Sequence, residues 1–161
     1  MTSLPLTSIE VTMHAGQLCT RNVVTCDRNT TVLEASKLMR ENHVGDIVVV
    51  EKNDDRIAPI GILTDRDIAV SVVAEEAEPK SVLVSDVMSS PAVTAYEWED
   101  GFRLPRRMRR LGVRRIAVID DAGSLVGIVT EDDLLKFIGD YLVELSHVST
   151  RQTIFEEKRR A

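Results

Sequence analysis

Short runs of Val, Ile and Leu alternate along the chain with segments whose apolar residues recur every three or four positions. The first kind predicts strands and the second predicts amphipathic helices. Val23 to Thr25 reads as a short apolar strand leading into a helix. That helix has a start signal in Thr31, followed three residues later by Glu34, and it carries Val32, Ala35, Leu38 and Met39 on one face. Asp46 to Val50 is too rich in β-branched residues for an exposed face and predicts a buried strand. A polar turn with Asn53, Asp54 and Asp55 leads to a further strand at Pro59 to Leu63, which so short a turn makes antiparallel to the one before. A second helix begins at Thr64.

The same succession then occurs again. Gly61-Ile62-Leu63-Thr64-Asp65-Arg66-Asp67-Ile68 matches Gly127-Ile128-Val129-Thr130-Glu131-Asp132-Asp133-Leu134 at an offset of 66. Upstream the offset is 69: Val23-Val24-Thr25 matches Ala92-Val93-Thr94, Met39 matches Met108, and Ile47 to Val50 matches Ile116 to Ile119. The first copy thus holds three extra residues in the polar stretch Glu51 to Arg56, where a surface turn accommodates an insertion. This predicts an N-terminal segment (1–13), a first repeat (14–74), a Glu-rich linker (75–81), a second repeat (82–140) and a C-terminal helical extension (141–161). The fold class is α+β (α/β), built from two tandem β-α-β-β-α units. Pro105 stands where the first repeat has Ser36 inside its helix, so the second helix should kink or start late.

Composition narrows the class. The 161 residues are 29% charged and 43% hydrophobic, with mean hydropathy −0.04, as in a soluble globular chain. No apolar run approaches the ~18 residues of a membrane span, and Met1 to Glu10 has neither a basic start nor an apolar stretch, so neither a membrane span nor a secretory signal is expected. Cys19 and Cys26 match no CxxC or disulfide-rich pattern, which points to a reducing cytosol. Net charge of −6 argues against a wholesale nucleic-acid binder. Aromatics are only 4%, leaving Val, Ile, Leu and Met for the core.

The doubled Thr-x-x-Asp element, Thr64/Asp67 and Thr130/Asp133, has two readings. Thr can cap a helix while the acid suits the first-turn dipole. The same strand-to-helix junction can also offer backbone N–H groups to phosphate, with the Asp accepting from ribose hydroxyls. With the Ser85-Asp86-Val87-Met88 opening before Pro91, the doubled motif resembles a pair of cystathionine-β-synthase-type (CBS) domains over His14 to Ile138. The resemblance implies two units packed sheet against sheet about a pseudo-twofold axis. It also implies two clefts between them for adenosyl ligands: AMP, ADP, ATP, NAD or S-adenosylmethionine, with AMP or ATP favoured. Carried onto this chain, one cleft joins Val93, Thr94, Arg114 and Arg115 to Thr64 and Asp67. The other joins Val24, Thr25, Gly45 and Asp46 to Thr130 and Asp133, and in both clefts backbone near Val23, Val24, Ala92 and Val93 would frame the adenine. Each Asp would hold ribose hydroxyls and each Thr would meet phosphate.

The clefts differ in charge. Arg114-Arg115 stands where the first repeat has Gly45-Asp46, which favours phosphate in the Arg114/Arg115 cleft. Seven arginines fall between Arg103 and Arg115, a solvated face or an anion- or partner-binding one, and no interleaved aromatics suit them to stacking bases. His14, His43 and His147 are scattered, His43 at a helix end, and Cys19 aligns with Met88 as a core residue. No catalytic residues, no metal site and no enzyme activity are expected. The resulting expectation is a regulatory module that senses an adenosyl ligand and signals to an unidentified partner protein. A structural or assembly protein with empty clefts and a nucleic-acid-binding regulator using residues 103–115 are the alternatives. Leu134, Leu135, Ile138, Tyr141, Leu142 and Leu145 form a stripe that predicts a homodimer, together with Ile68, Val72 and Val73. The alternative is a monomer in which Leu145 to Phe155 folds back over the stripe.

Overall fold

In a computed structural model the chain is described over residues 13–160, and its side chains over residues 13–148. Two three-stranded sheets carry the two repeats. In the first, β1 (Thr25–Asp27) lies parallel to β2 (Asp46–Asn53), which pairs antiparallel with β3 (Arg56–Thr64). In the second, β4 (Thr94–Tyr96), β5 (Arg115–Ile119) and β6 (Leu125–Thr130) repeat this order and sense. Both hairpins slip register at the same place, between Val49 and Val50 and between Val118 and Ile119. The repeat therefore extends to an irregularity of the backbone, where one extra residue increases the local twist.

Helix α2 (Val32–Asn42) follows β1, opened by the expected box in which the Thr31 hydroxyl accepts from the Glu34 N–H while Glu34 accepts from the Thr31 N–H. Its counterpart α5 (Leu104–Leu111) starts three positions late. Gly101–Arg103 form a 3-10 turn instead, and Pro105 sits in the first turn of α5, where a missing N–H costs no hydrogen bond. Both helices end at a left-handed residue, His43 and Gly112, whose N–H groups return to Met39 and Met108. His43 is thus a helix cap.

Successive residues of β2 serve different cores, as the strand period requires. Ile47 and Val49 pack with Ala35 and Met39 of α2. Val48 and Val50 face the other unit, packing with Ile62, Ile128, Leu125 and Val23. The two units therefore meet sheet to sheet. Val23 belongs to this layer and Val24 to the first unit's own core, and the strands begin two residues later than their hydrophobicity suggests: the Val24 and Val93 carbonyls accept from Val48 and Ala117 at the entrance of each parallel ladder.

The segments before each β1-type strand are exchanged between units. Helix α1 (Ala15–Leu18) packs with Leu104, Met108 and Ile116 of the second unit. Helix α4 (Val84–Val87) packs with Ala35, Met39 and Leu63 of the first. Beyond α1, Thr20 and Ile128 exchange N–H···O bonds of 2.9 and 3.0 Å; beyond α4, Ser89 and Ile62 exchange bonds of 2.9 and 3.0 Å. This crossing explains the glycine of each repeated motif. A Cβ at Gly127 would lie 2.6 Å from Cys19 Sγ and 2.8 Å from the Thr20 carbonyl, and one at Gly61 would lie 2.5 Å from Met88 Sδ.

The last helices of the two units diverge. In the first, α3 (Asp65–Ile68) passes into a π-turn over Ala69–Val73. Val72, four residues after Ile68, is fully buried rather than on the outer face, while Val70 and Val73 are exposed. In the second, α6 runs unbroken over Glu131–Arg160, about 45 Å at 1.5 Å per residue. A continuous helix cannot fold back over its own stripe, so that arrangement is excluded.

The crossing makes a measurable difference between the two glycines. Gly127→Ala should destabilise the protein by about 2–3 kcal/mol, because a Cβ would lie 2.8 Å from the Thr20 carbonyl held in its backbone bridge, and Gly61→Ala by about 1–2 kcal/mol, because the Met88 thioether can swing away while the bridged Ser89 carbonyl stands at 3.0 Å. Urea unfolding of both variants measures the difference; two neutral substitutions would contradict the close approach.

Candidate functional site

Thr64 and Thr130 end their edge strands and cap the helices that follow. The Thr64 hydroxyl donates to Asp67 Oδ2 at 2.7 Å and accepts from the Asp67 N–H at 3.1 Å, while the Thr64 N–H donates to the same Oδ2 at 2.9 Å. Thr130 and Asp133 reproduce this at 2.7, 3.2 and 2.8 Å. The capping reading of the motif is thus realised twice. It spends only Oδ2 of each carboxylate, so Oδ1 takes no part in it.

Each pair opens into a cleft between the units. The first, about 220 Å³, is lined by Thr64, Asp67, Val93, Arg114 and Arg115, as grouped from the sequence, and also by Ile62, Ser89, Pro91, Ala92, Gly112 and Val113. The second, about 210 Å³, is lined by Val23, Val24, Gly45, Asp46, Thr130 and Asp133, with Thr20, Asn22, Val44 and Ile128. Thr25 and Thr94 line neither: both lie within the parallel ladders, and the Thr94 carbonyl accepts from Arg107 Nη1 at 2.7 Å. Sequence reasoning missed the residues that the exchanged segments bring, chiefly Thr20 and Ser89. They are equivalent at the offset of 69, which is the signal that could have found them.

Four of the seven arginines are individually committed. Arg115 Nε donates to Asp46 Oδ2, an ion pair between equivalent positions of the two repeats. Arg114 Nε donates to Glu131 Oε2 at 2.6 Å on the exposed rim. Arg107 holds Glu99 inside the second unit. Partial burial would raise the Glu99 pKa, but the Arg107 hydrogen bond, the Tyr96 N–H and the Arg107 and Arg103 charges together lower it. Arg103 pairs with Asp100 at 3.6 Å, and Arg106, Arg109 and Arg110 are exposed on α5. The run of seven is therefore no single anion-binding face, because four of its members face a carboxylate.

Other reactive groups are held in structural roles. Burial raises the Cys19 thiol pKa and pushes that of Cys26 up to about 11, which leaves both protonated at neutral pH. A His14 ring nitrogen lies 2.7 Å from the Trp98 carbonyl. Among the described residues, no three His, Cys, Asp or Glu side chains are placed to hold a metal ion. Among them, too, no helix is long and apolar enough to cross a membrane.

Comparison with known proteins places this geometry. The CBS domain family model matches residues 15–74 and 84–140. The uncharacterized protein MK0525 of Methanopyrus kandleri is 36% identical over 81% of this chain, and the match spans 65% of that protein's length. The CBS domain-containing protein YhcV of Bacillus subtilis is 35% identical over 80% of this chain and 91% of its own. The CBS domain protein PAE2072 from Pyrobaculum aerophilum, solved in complex with AMP, is a likeness of fold: TM-score 0.68 and 24% identity, covering 76% of this chain and 90% of that one. With two matched repeats, two sheets in contact and a cleft on either side of their junction, the chain belongs to the CBS domain family as a tandem pair.

Proposed function

We propose that this chain is a non-catalytic regulatory module that binds an adenine nucleotide, AMP or ATP, in the cleft of Thr64, Asp67, Arg114 and Arg115. The observation that carries the reading is the pairing, in one cleft, of a carboxylate with an unused oxygen and two guanidinium groups. The carboxylate suits ribose hydroxyls, and guanidinium groups give charge-assisted bonds to phosphate. Backbone at Ala92 and Val93 frames the base, as the family resemblance implies. Occupancy then regulates a partner protein through differential affinity for two states. Two free cysteines suit a reducing compartment such as the cytosol.

The test is calorimetric titration of AMP and ATP into the wild type and two variants. Asp67→Ala should weaken nucleotide binding by about 1–3 kcal/mol, the scale of one lost hydrogen-bonded partner, and Asp133→Ala by clearly less. Equal losses, or the larger loss at Asp133, would reverse the assignment; no binding by the wild type would favour clefts with a purely structural role.

We further propose that the chain is a homodimer joined through α6, with the outer face of the α3 region beside it. Leu135, Ile138, Leu142, Leu145 and Val148 lie at spacings of three and four along α6, and all are exposed in the single chain. A stripe of that size marks an interface. Light scattering should give about 36 kDa, twice 17.9 kDa, and Ile138→Asp with Leu142→Asp should halve it. A mass near 18 kDa for the wild type, or a double variant that stays folded and dimeric, would contradict the interface.

A further inference from the structure

The turn after β4 carries the chain's single tryptophan on its outer side. Tyr96 and Trp98 stack with ring centroids 5.2 Å apart and planes 6° from parallel, yet they are 39% and 56% exposed. The turn that presents them is fixed on several sides. The Tyr96 carbonyl accepts from the Glu99 N–H at 3.0 Å, and the Glu97 and Glu99 carbonyls accept from Gly16 and Ala15 of α1 at 2.9 and 2.8 Å. Trp98 Nε1 donates to Asp121 Oδ1 at 2.8 Å. The first repeat makes the same turn without aromatic residues. There the Asp27 carbonyl accepts from Thr30, and the Arg28 and Thr30 carbonyls accept from Ser85 and Val84 of α4, with Asp27 and Asn29 at the equivalent positions. The turn therefore needs neither ring, and the second copy keeps apolar surface in water where the first is polar.

Charge decides what this surface can take. Glu99 is held by Arg107, Asp100 faces Arg103 at 3.6 Å and Glu97 faces Arg21 at 3.9 Å. Asp120 and Asp121, at the tip of the β5–β6 hairpin, make no ion pair among the described residues. Arg56 of the other hairpin approaches Gly123 at this tip but pairs with neither. Asp120 Oδ1 accepts from the Ser124 N–H, whereas Asp121 gives Oδ1 to the indole and leaves Oδ2 beside it. A guanidinium suits both features, because it is planar and weakly hydrated, stacks on aromatic faces and pairs through its N–H edge with a carboxylate. A nucleic-acid strand would find rings to stack on, but its phosphates would meet the carboxylates.

We infer that the Tyr96–Trp98 face and Asp121 form a docking surface for an arginine-bearing segment of a partner protein, a guanidinium stacking on the indole with its edge at Asp121 Oδ2. None of these three residues lines either cleft, so docking here and nucleotide binding are separately testable.

Because Trp98 is the chain's single tryptophan, its fluorescence reports this site alone. The probe is an end-blocked peptide of alternating arginine and glycine titrated into the full chain, with the lysine–glycine peptide and oligothymidylate as comparators. The arginine peptide should change Trp98 emission saturably, and the lysine peptide should bind at least about twofold more weakly. Asp121→Asn, which keeps an acceptor for the indole N–H, should weaken the arginine peptide about two- to fivefold. Trp98→Asn installs the first repeat's residue; it should unfold in urea as the wild type does and show no peptide binding by calorimetry. No saturable change at millimolar arginine peptide, equal binding by wild type and Asp121→Asn, or tighter binding of oligothymidylate would overturn the inference. A mass above the dimer that Trp98→Asn removes would also overturn it, by seating the exposed arginines of a second copy's α5 here instead of a partner.

Discussion

Two short backbone bridges, Thr20 with Ile128 and Ser89 with Ile62, hold the exchange on which the rest of the structure depends. Each brings the segment ahead of one unit onto the edge strand of the other, so neither unit completes its core alone. Val84 and Met88 fill the first core, and Ala15 and Cys19 fill the second. The bridges require a bare backbone at Gly61 and Gly127, and they carry Ser89 and Thr20 to the mouths of the clefts. Packing and binding geometry therefore share one cause. A cleft between units exists because the chain crosses between them just before it enters its own sheet.

Duplication alone would give two equal clefts, and electrostatics separates them. Positions 46 and 115 are equivalent under the repeat, yet they hold Asp and Arg and meet as an ion pair. Two like charges at so close an approach would repel, so difference between the copies is itself a condition of their packing. The neighbouring positions extend the asymmetry: Arg114 reaches Glu131, whereas a Cβ at Gly45 would already lie 3.3 Å from Asp65 Oδ2. The helices diverge too, α3 ending in a π-turn and α6 continuing for 30 residues with an exposed apolar stripe.

Much of this was legible in the chain because the repeat states each element twice. The Gly-apolar-apolar-Thr-x-x-Asp match, the capping box at Thr31 and the delay imposed by Pro105 all rest on local chemistry, and local chemistry is what a sequence displays. The grouping of Thr64 and Asp67 with Arg114 and Arg115 came from the family resemblance. Long-range pairing was not legible. Nothing near Cys19 announces that it packs beneath Gly127, and the apolarity of Val23 reflects burial between the sheets while that of Val24 reflects burial in the first unit's own core. The Asp46–Arg115 pair escaped for the same reason, since each residue was read against its own cleft and not against the other. Val72 looked like part of an outer face because helical spacing assumes a regular helix, and the π-turn breaks that assumption.

The central claim is that charge makes two copies of one cleft unequal, so that a phosphorylated nucleoside prefers the first. A crystal structure of the protein with one equivalent of AMP tests this most directly. The account predicts one ligand per chain, its ribose hydroxyls at Asp67 and its phosphate against Arg114 and Arg115. AMP seated instead between Asp46 and Asp133, or divided equally between the clefts, would contradict it.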